Sequence, residues 1–242
     1  MDAIKQAQAW IKDAQHIVFF GGAGTSTQSG IPDFRSDTGL YSDAGSLSPE
    51  YALSHVFATA DPDAFAEFYK QKLIYPDAKP TRLHEVLVQW EQEGKLSAVI
   101  TQNIDRLHQK AGSEHVIELH GNLWDHYCAS CGARYELSYA LNFPSAAKCE
   151  KCGGVVRPDV TLYGEMLPEG ATESAIEAIR AADVLIVAGT SLVVYPAAGL
   201  IRYYSGDKLI LINRQDTPID GRANLYFRED IGTVLDRIAE EA

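Results

Sequence analysis

The chain has 242 residues, room for one large domain plus a small insertion, and 46% of them are hydrophobic, an ordinary globular content. Its 21 lysines and arginines stand against 33 aspartates and glutamates, a net charge of −12 that argues against sequence-independent binding to nucleic acid. The same charge fits a cationic partner such as a lysine-rich protein segment, or serves solubility alone. The opening stretch Met1-Asp2-Ala3-Ile4-Lys5-Gln6 lacks a basic region followed by an apolar run, and runs such as Ile17 to Phe20 and Val184 to Ala188 are too short to span a bilayer. A cytoplasmic protein with no membrane partner is expected.

Residues 2–14 place Ile4, Ala7, Trp10 and Ile11 on one face and predict an amphipathic helix. The run Ile17-Val18-Phe19-Phe20 predicts a buried strand ending in Gly21-Gly22-Ala23-Gly24. Ser48-Pro49 and Asp61-Pro62 each set a capping side chain before a proline, so residues 35–80 read as a small helical module. Leu83, Val86, Leu87 and Trp90 have helical spacing. Ala98-Val99-Ile100 is a strand running into Thr101-Gln102-Asn103, and Val116 to Leu119 is another, running into His120-Gly121. Further on, residues 171–182 read as helix, Val184 to Ala188 as a strand before Gly189-Thr190-Ser191, and Pro196 as a helix opening. Lys208 to Ile212 is a strand before Asn213, Leu225-Tyr226-Phe227 an edge strand, and residues 231–241 a last helix. Strands alternating with helices imply an α/β fold with a parallel sheet covered on both faces.

The four cysteines, Cys128, Cys131, Cys149 and Cys152, read C-x2-C, seventeen residues, C-x2-C. Two such pairs complete the tetrahedron that Zn²⁺ accepts, and four thiolates leave no open position for a catalytic water, so the pattern predicts one structural zinc. Two disulfides are the alternative; nothing else in the chain suggests the secretion that would favour them.

Each apolar strand runs into small or polar residues, and in an open parallel sheet ligands bind outside the carboxyl ends of the strands. Gly22-Ala23-Gly24 is placed as a pyrophosphate-binding turn, although Thr27 stands where the third glycine of G-x-G-x-x-G would be. His120, between a strand and Gly121, is the candidate general base; His108 in an expected helix and His126 before the cysteines are its rivals.

Taken together, Gly22-Ala23-Gly24-Thr25-Ser26, Gly30-Ile31-Pro32-Asp33-Phe34-Arg35, Thr101-Gln102-Asn103-Ile104-Asp105, His120-Gly121, the four cysteines, Tyr163-Gly164-Glu165 and Gly189-Thr190-Ser191-Leu192 stand in the order seen in sirtuins. The chain resembles a compact, bacterial-type member of that family over nearly its whole length. The resemblance implies a Rossmann-like parallel sheet domain (1–34, 81–121 and 165–242) with an inserted helical module (35–80) and a zinc-ribbon module (122–164). It implies NAD-dependent deacetylation of protein lysine side chains, with NAD consumed as co-substrate, nicotinamide released and O-acetyl-ADP-ribose formed. Acetylated proteins or peptides would be the partners.

Position by position, the resemblance implies His120 as the base that activates a ribose hydroxyl. It implies Ala23, Thr27, Phe34, Arg35, Gln102, Asn103, Ile104, Asp105, Thr190, Ser191, Asn213, Asp230 and Ile231 as the cofactor-binding set. Thr161, Tyr163, Gly164, Glu165 and Val193 would meet the peptide, which is expected to add as a strand between segments 160–165 and 191–195. Asp105 could equally be a carboxylate of a helix first turn. Thr161 and Tyr163 replace an aliphatic residue and a phenylalanine usual in the family. Sirtuins that remove succinyl or malonyl groups resemble one another in a Tyr-x-x-Arg pair; here Tyr69 is followed by Lys72, so a small uncharged acyl group is expected. Removal of other acyl groups and mono-ADP-ribosylation are the alternatives in function.

Overall fold

The apolar runs of the sequence become the strands of one sheet. The structure, a computed structural model, describes residues 2–34, 39 and 48–240. In chain order, α1 (Ala3–Asp13) and β1 (Ile17–Gly21) are followed by α2 (Pro49–Ala52), α3 (His55–Ala60), α4 (Pro62–Lys72), α5 (Arg82–Gln92), β2 (Leu96–Thr101), α6 (Leu107–Ala111) and β3 (Val116–Glu118). Then come β4 (Gly121–Cys128), β5 (Arg134–Glu136), α7 (Leu137–Leu141), β6 (Ala147–Lys148) and β7 (Val155–Val160). Last are α8 (Glu169–Ala181), β8 (Val184–Ala188), β9 (Leu209–Ile212), β10 (Leu225–Phe227) and α9 (Ile231–Ala239). These elements form two compact units: Met1–Ile31, Ala78–Leu119 and Glu169–Ala242 make the first, Pro32–Asp77 and His120–Pro168 the second.

The first unit is a Rossmann-like sheet, parallel throughout, in the order β10-β9-β8-β1-β2-β3. Every residue of β1, β8 and β9 is buried, which explains their unbroken apolar sequence. Three amphipathic helices cover one face. Ile4, Ala7 and Ile11 of α1, Leu83, Val86, Leu87 and Trp90 of α5, and Ile231, Val234, Leu235 and Ile238 of α9 pack with Ile17, Phe19, Val184 and Ile186 in one core. Burying each large aliphatic side chain is worth about 1.5–3 kcal/mol, so the i, i+3, i+4, i+7 spacing fixes which side of each helix docks. The order of connection reverses between β1 and β8, the topological switch point where such sheets bind ligands.

The second unit carries an antiparallel sheet, β5-β4-β7-β6, and the helices α2, α3, α4 and α7. Around the cysteines a core cluster consists of Cys128, Ala140, Ala147, Cys149 and Val156, with Ala133, Tyr135, Tyr139 and Phe143 packed on it. So few small residues leave that end of the sheet in need of a cross-link. The α4 helix is clipped on by a half-buried ammonium: Lys70 Nζ donates to the carbonyls of Phe143 (2.8 Å) and Ser145 (2.7 Å).

Local signals and structure differ at three points. Ser48-Pro49 opens only the four-residue α2, whereas Asp61 caps a full helix, its carboxylate accepting the Ala64 N–H at 3.0 Å. A further helix, α3, begins without a proline; Ser54 Oγ accepts the Phe57 N–H at 3.1 Å. After Pro196 the chain forms a 3-10 helix, Ala197–Tyr203, rather than an α-helix.

Three histidines are sealed in these cores. His108 on α6 has no hydrogen-bond partner for either ring nitrogen among the described residues, and its ring lies 4.7 Å from that of His84 on α5. Burial lowers the pKa of His84 to about 4, of His108 to about 3 and of His126 to about 4, from 6.5. The unfolded chain therefore takes up protons below pH 6.5 that the folded chain refuses. The stability they allow is complete above 6.5 and is lost as pH falls towards 4 and then 3. Urea midpoints measured at pH 7.5, 6 and 5 should decline across that series, and His108→Leu should flatten the decline; equal slopes in both proteins would contradict this.

Candidate functional site

The switch point is built from bare backbone. A Cβ at Gly22 would lie 2.7 Å from Thr190 Cβ and 2.8 Å from the Gly189 carbonyl oxygen, and one at Gly24 would lie 2.7 Å from Gly189 Cα. Only glycine lets the loops after β1 and β8 touch in this way. Gly22 N–H donates to the Ala188 carbonyl (3.2 Å) and Gly24 N–H to that of Gly189 (2.8 Å), joining the loops. Gly189 itself has φ +60°.

The end of β2 reaches into this junction. Gln102 Nε2 donates to Thr190 Oγ1 at 2.9 Å. Asn103 Nδ2 donates to Thr25 Oγ1 and to Ser26 Oγ, each at 2.9 Å, while Ser26 Oγ donates to Asp105 Oδ2 at 2.6 Å. The other Asp105 oxygen accepts the Leu107 N–H at 2.9 Å, so the carboxylate also serves the first turn of α6. Burial raises the Asp105 pKa, and the Ser26 and Leu107 bonds oppose the rise. The structure thus gathers Asn103 and Asp105 into one network, with the Gln102–Thr190 pair beside it. Thr25 and Ser26 act as its keystones, roles the sequence reading did not assign them. The signal was in plain view: two hydroxyl residues directly after a glycine turn.

The remaining expected cofactor positions are less uniform. Ala23 and Thr27 sit on the short 3-10 turns after β1, with Thr27 Oγ1 donating to the Gly24 carbonyl (3.1 Å). Ile104 lies between Asn103 and Asp105, and Ser191 follows Thr190; both are half-buried. Asn213, nearly buried at the end of β9, donates through Nδ2 to the Gln215 carbonyl (2.8 Å). The Asp230 carboxylate is committed to structure: it caps α9 through Thr233 N–H (3.0 Å) and accepts Gln28 Nε2 (2.7 Å) and Arg214 (3.3 Å). Ile231 is buried in the core. Phe34 belongs to the second unit and Arg35 lies outside the described residues.

In the second unit, His120 directly follows Leu119, whose N–H bonds to the Thr101 carbonyl at the end of β2 (2.9 Å). Its own carbonyl accepts the Thr161 N–H at 2.9 Å. Gly121 has φ +67°, and any Cβ there would overlap the Asp159 carbonyl oxygen, so the His120-Gly121 pair turns where no other residue could. Of the other two histidines, His108 is sealed in the first unit, and His126 on β4 is buried against the Tyr69 ring and hydroxyl (3.4 Å). Tyr163 pairs with segment 53–55, its N–H to the Leu53 carbonyl (2.9 Å) and its carbonyl to the His55 N–H (3.0 Å). Thr161 is half-buried and Gly164 exposed, whereas the Glu165 side chain turns back onto Arg157 (2.6 Å). In the first unit Val193 is half exposed, beside the buried Leu192 at φ +53°.

The metal centre is symmetric. Each C-x2-C pair closes a turn in which the first cysteine's carbonyl accepts the N–H of a following glycine: Gly132 to Cys128 (2.9 Å, φ +71°) and Gly153 to Cys149 (2.8 Å, φ +72°). All four sulfurs lie within 4.8 Å of one another. The Cys128–Cys152 and Cys131–Cys149 separations are 3.5 and 3.6 Å. A zinc–sulfur bond of about 2.3 Å in a tetrahedron sets sulfurs about 3.8 Å apart, so the four thiolates are gathered at the spacing Zn²⁺ needs to within about 1 Å. The cysteines are free, not disulfide-bonded. Tyr135 Oη donates to Cys149 Sγ at 3.1 Å and supports the ligand from behind.

A dinucleotide fits the first unit's junction on the same kind of test. Side-chain-free backbone at Gly22, Gly24 and Gly189 permits close approach of phosphates, and amides beside a half-buried carboxylate suit ribose hydroxyls and a carboxamide.

Residues 22–196 match the model of the Sir2 family. The chain is 49% identical over 241 residues to an NAD-dependent protein deacetylase of Clostridium acetobutylicum, covering 98% of each. It is 51% identical over 244 residues to one of Clostridium tetani, covering 100% of this chain and 99% of the relative. Among solved structures, Sir2 with a p53 peptide and NAD+ matches at TM-score 0.88 and 40% identity, covering 98% of each chain. Sir2 bound to acetylated peptide matches at 0.87 and 38%, again over 98% of each.

The purified protein should contain about one zinc per chain, and Cys128→Ser should lose it. Because metal binding and local folding are coupled, amide exchange in residues 121–160 should then accelerate while the parallel sheet stays protected. A metal-free wild type with the same protection pattern would contradict the assignment.

Proposed function

The chain belongs to the Sir2 family, and we propose that it is an NAD-dependent protein-lysine deacetylase, a transferase that moves acetyl from lysine to ADP-ribose. The observation that carries this reading is the Asn103–Asp105 network at the switch point, locked to the glycine loop through Thr25 and Ser26, with Gln102 tied to Thr190 beside it. NAD, when bound, supplies an activated bond between nicotinamide and ribose, and the reaction consumes it.

In this reading the chain divides into an NAD-binding part (1–34, 81–121 and 165–242), a helical module (35–80) and a zinc-ribbon module (122–164). Ala23, Thr27, Thr190 and Ser191 receive the phosphates and adjoining ribose. Gln102, Asn103, Ile104 and Asp105 form the nicotinamide and ribose pocket. Phe34 shields the reacting ribose from water that would otherwise divert the reaction, and Arg35 belongs with it to the cofactor-binding loop that the family resemblance implies. Asn213 and the backbone at Asp230–Ile231 serve the adenosine. His120 accepts the proton of a ribose hydroxyl; its position is fixed by the obligatory Gly121 and by the Thr161 N–H on its carbonyl. Thr161, Tyr163, Gly164 and Val193 are each assigned to contact with the acetyl-lysine peptide.

Several observations refine the reading. Tyr69 is 1% exposed and its hydroxyl faces His126, so it cannot grip an acyl carboxylate, which supports a small uncharged acyl group. No helix among the described residues is long and apolar enough to cross a membrane. A four-thiolate zinc site persists best where thiols stay reduced, which supports a cytoplasmic location.

Incubation with NAD and an acetyl-lysine peptide, read by mass spectrometry, should yield nicotinamide, deacetylated peptide and O-acetyl-ADP-ribose. In the same assay His120→Ala should reduce kcat by ~10²–10⁴-fold with NAD binding and zinc content retained. Near wild-type turnover by that variant would place the base elsewhere, and NAD cleavage that needs no acetyl-peptide would overturn the deacetylase reading.

A further inference from the structure

We infer that Glu165 is a positioning residue for the acetyl-lysine peptide and not a contact to it, held in that role by Arg157 and His55; the inference rests on the deacetylase reading. A carboxylate offers about four lone-pair sites. All four of Glu165 are taken. Oε1 accepts Arg157 Nη1 at 2.6 Å and lies 2.9 Å from His55 Nδ1. Oε2 accepts Arg157 Nη2 at 3.2 Å and the Leu162 N–H at 2.8 Å. The guanidinium and carboxylate meet as a fork on a fork, the geometry that makes such pairs strong and directional. Arg157 is 8% exposed and its Nη2 also donates to the Val160 carbonyl (3.0 Å), so the fork is anchored in β7. Desolvation raises the Glu165 pKa, but the Arg157 and Leu162 bonds outweigh it and keep the carboxyl below its ordinary value.

The consequence appears in the main chain of the turn. The N–H groups of Thr161, Leu162, Tyr163 and Glu165 are occupied by the carbonyl of His120, the Glu165 carboxylate, the carbonyl of Leu53 and the carbonyl of Leu162. Among the described residues, the Gly164 N–H alone in this segment has no partner. Gly164 has φ +90°, is exposed, and has no atom within 4 Å of where a Cβ would stand. An incoming extended peptide therefore finds one unpaired donor, on an exposed glycine. The turn that carries it is held by a carboxylate tied to β7 through Arg157, to α3 through His55 and to the turn itself through Leu162. Arg157, His55 and Glu165 thus act on peptide affinity through Gly164.

The test compares wild type with Glu165→Gln, Arg157→Lys and His55→Ala. It measures the Kd of a fluorescein-labelled acetyl-lysine peptide, steady-state kinetics for peptide and NAD, thermal unfolding and zinc content. Glu165→Gln and Arg157→Lys, the latter keeping charge but losing the fork, should each raise peptide Kd and KM about tenfold, with kcat and the KM for NAD within about twofold. His55→Ala, at an exposed position, should raise peptide KM about threefold without altering thermal stability. A purely structural role would lower the unfolding temperature and kcat and leave peptide KM unchanged, and that result overturns the inference, as does an equal rise in both KM values. Where Glu165→Gln fails to fold, His55→Ala decides alone. A wild type that is active beside variants that bind peptide equally well refutes only this inference; a wild type that neither binds the peptide nor consumes NAD refutes the deacetylase reading with it.

Discussion

Backbone-to-backbone contact between Gly24 and Gly189 is the constraint on which the first unit's site depends. Two parallel strands entering the switch point side by side would ordinarily be kept apart by the side chains of the loops that follow them. Here three glycines remove that barrier, and the loops meet close enough to share the Gly22–Ala188 and Gly24–Gly189 hydrogen bonds. That approach brings Thr25 and Ser26 under the end of β2, where Asn103 can reach both and Ser26 can reach Asp105. A buried polar network is strongly cooperative when every member is satisfied and costly when one is lost. The glycines therefore act far beyond their own contacts.

The second unit solves a different problem. Around the cysteines its antiparallel sheet has only a small apolar cluster, so at that end a metal site adds order that volume does not. Four thiolates close one end through matched C-x2-C-G turns, and Lys70 and the Arg157–Glu165 fork hold the segments around it. Ionic holders are directional, which suits a region whose task in the proposed function is to present a few main-chain groups to an extended peptide.

Much of this was legible in the sequence because the signals were local. The fully apolar runs at Ile17, Val184 and Leu209 are what a strand buried on both faces requires, and the cysteine spacing is a direct image of the metal's geometry. What was missed depends on three-dimensional closure. Nothing in the spacing of Arg157 and Glu165 announces a fork, because it forms only when the 161–165 turn folds the glutamate back. His108 reads as an ordinary helical histidine, and its pairing with His84 arises from the packing of α6 on α5. Asp230 matches a cofactor contact in order along the chain, and its further role as the N-cap of α9, accepting the Thr233 N–H, is seen only in the fold.

The central claim is that loop contact at the switch point creates the NAD site. Its most direct test is the NAD dissociation constant of Gly24→Ala, measured by calorimetry against Gly221→Ala, where an added Cβ meets open space. The account predicts at least about a tenfold weakening for Gly24→Ala, a loss of about 1.4 kcal/mol or more, with no change for Gly221→Ala and the parallel sheet intact in both. Wild-type affinity in a folded Gly24→Ala protein would contradict it.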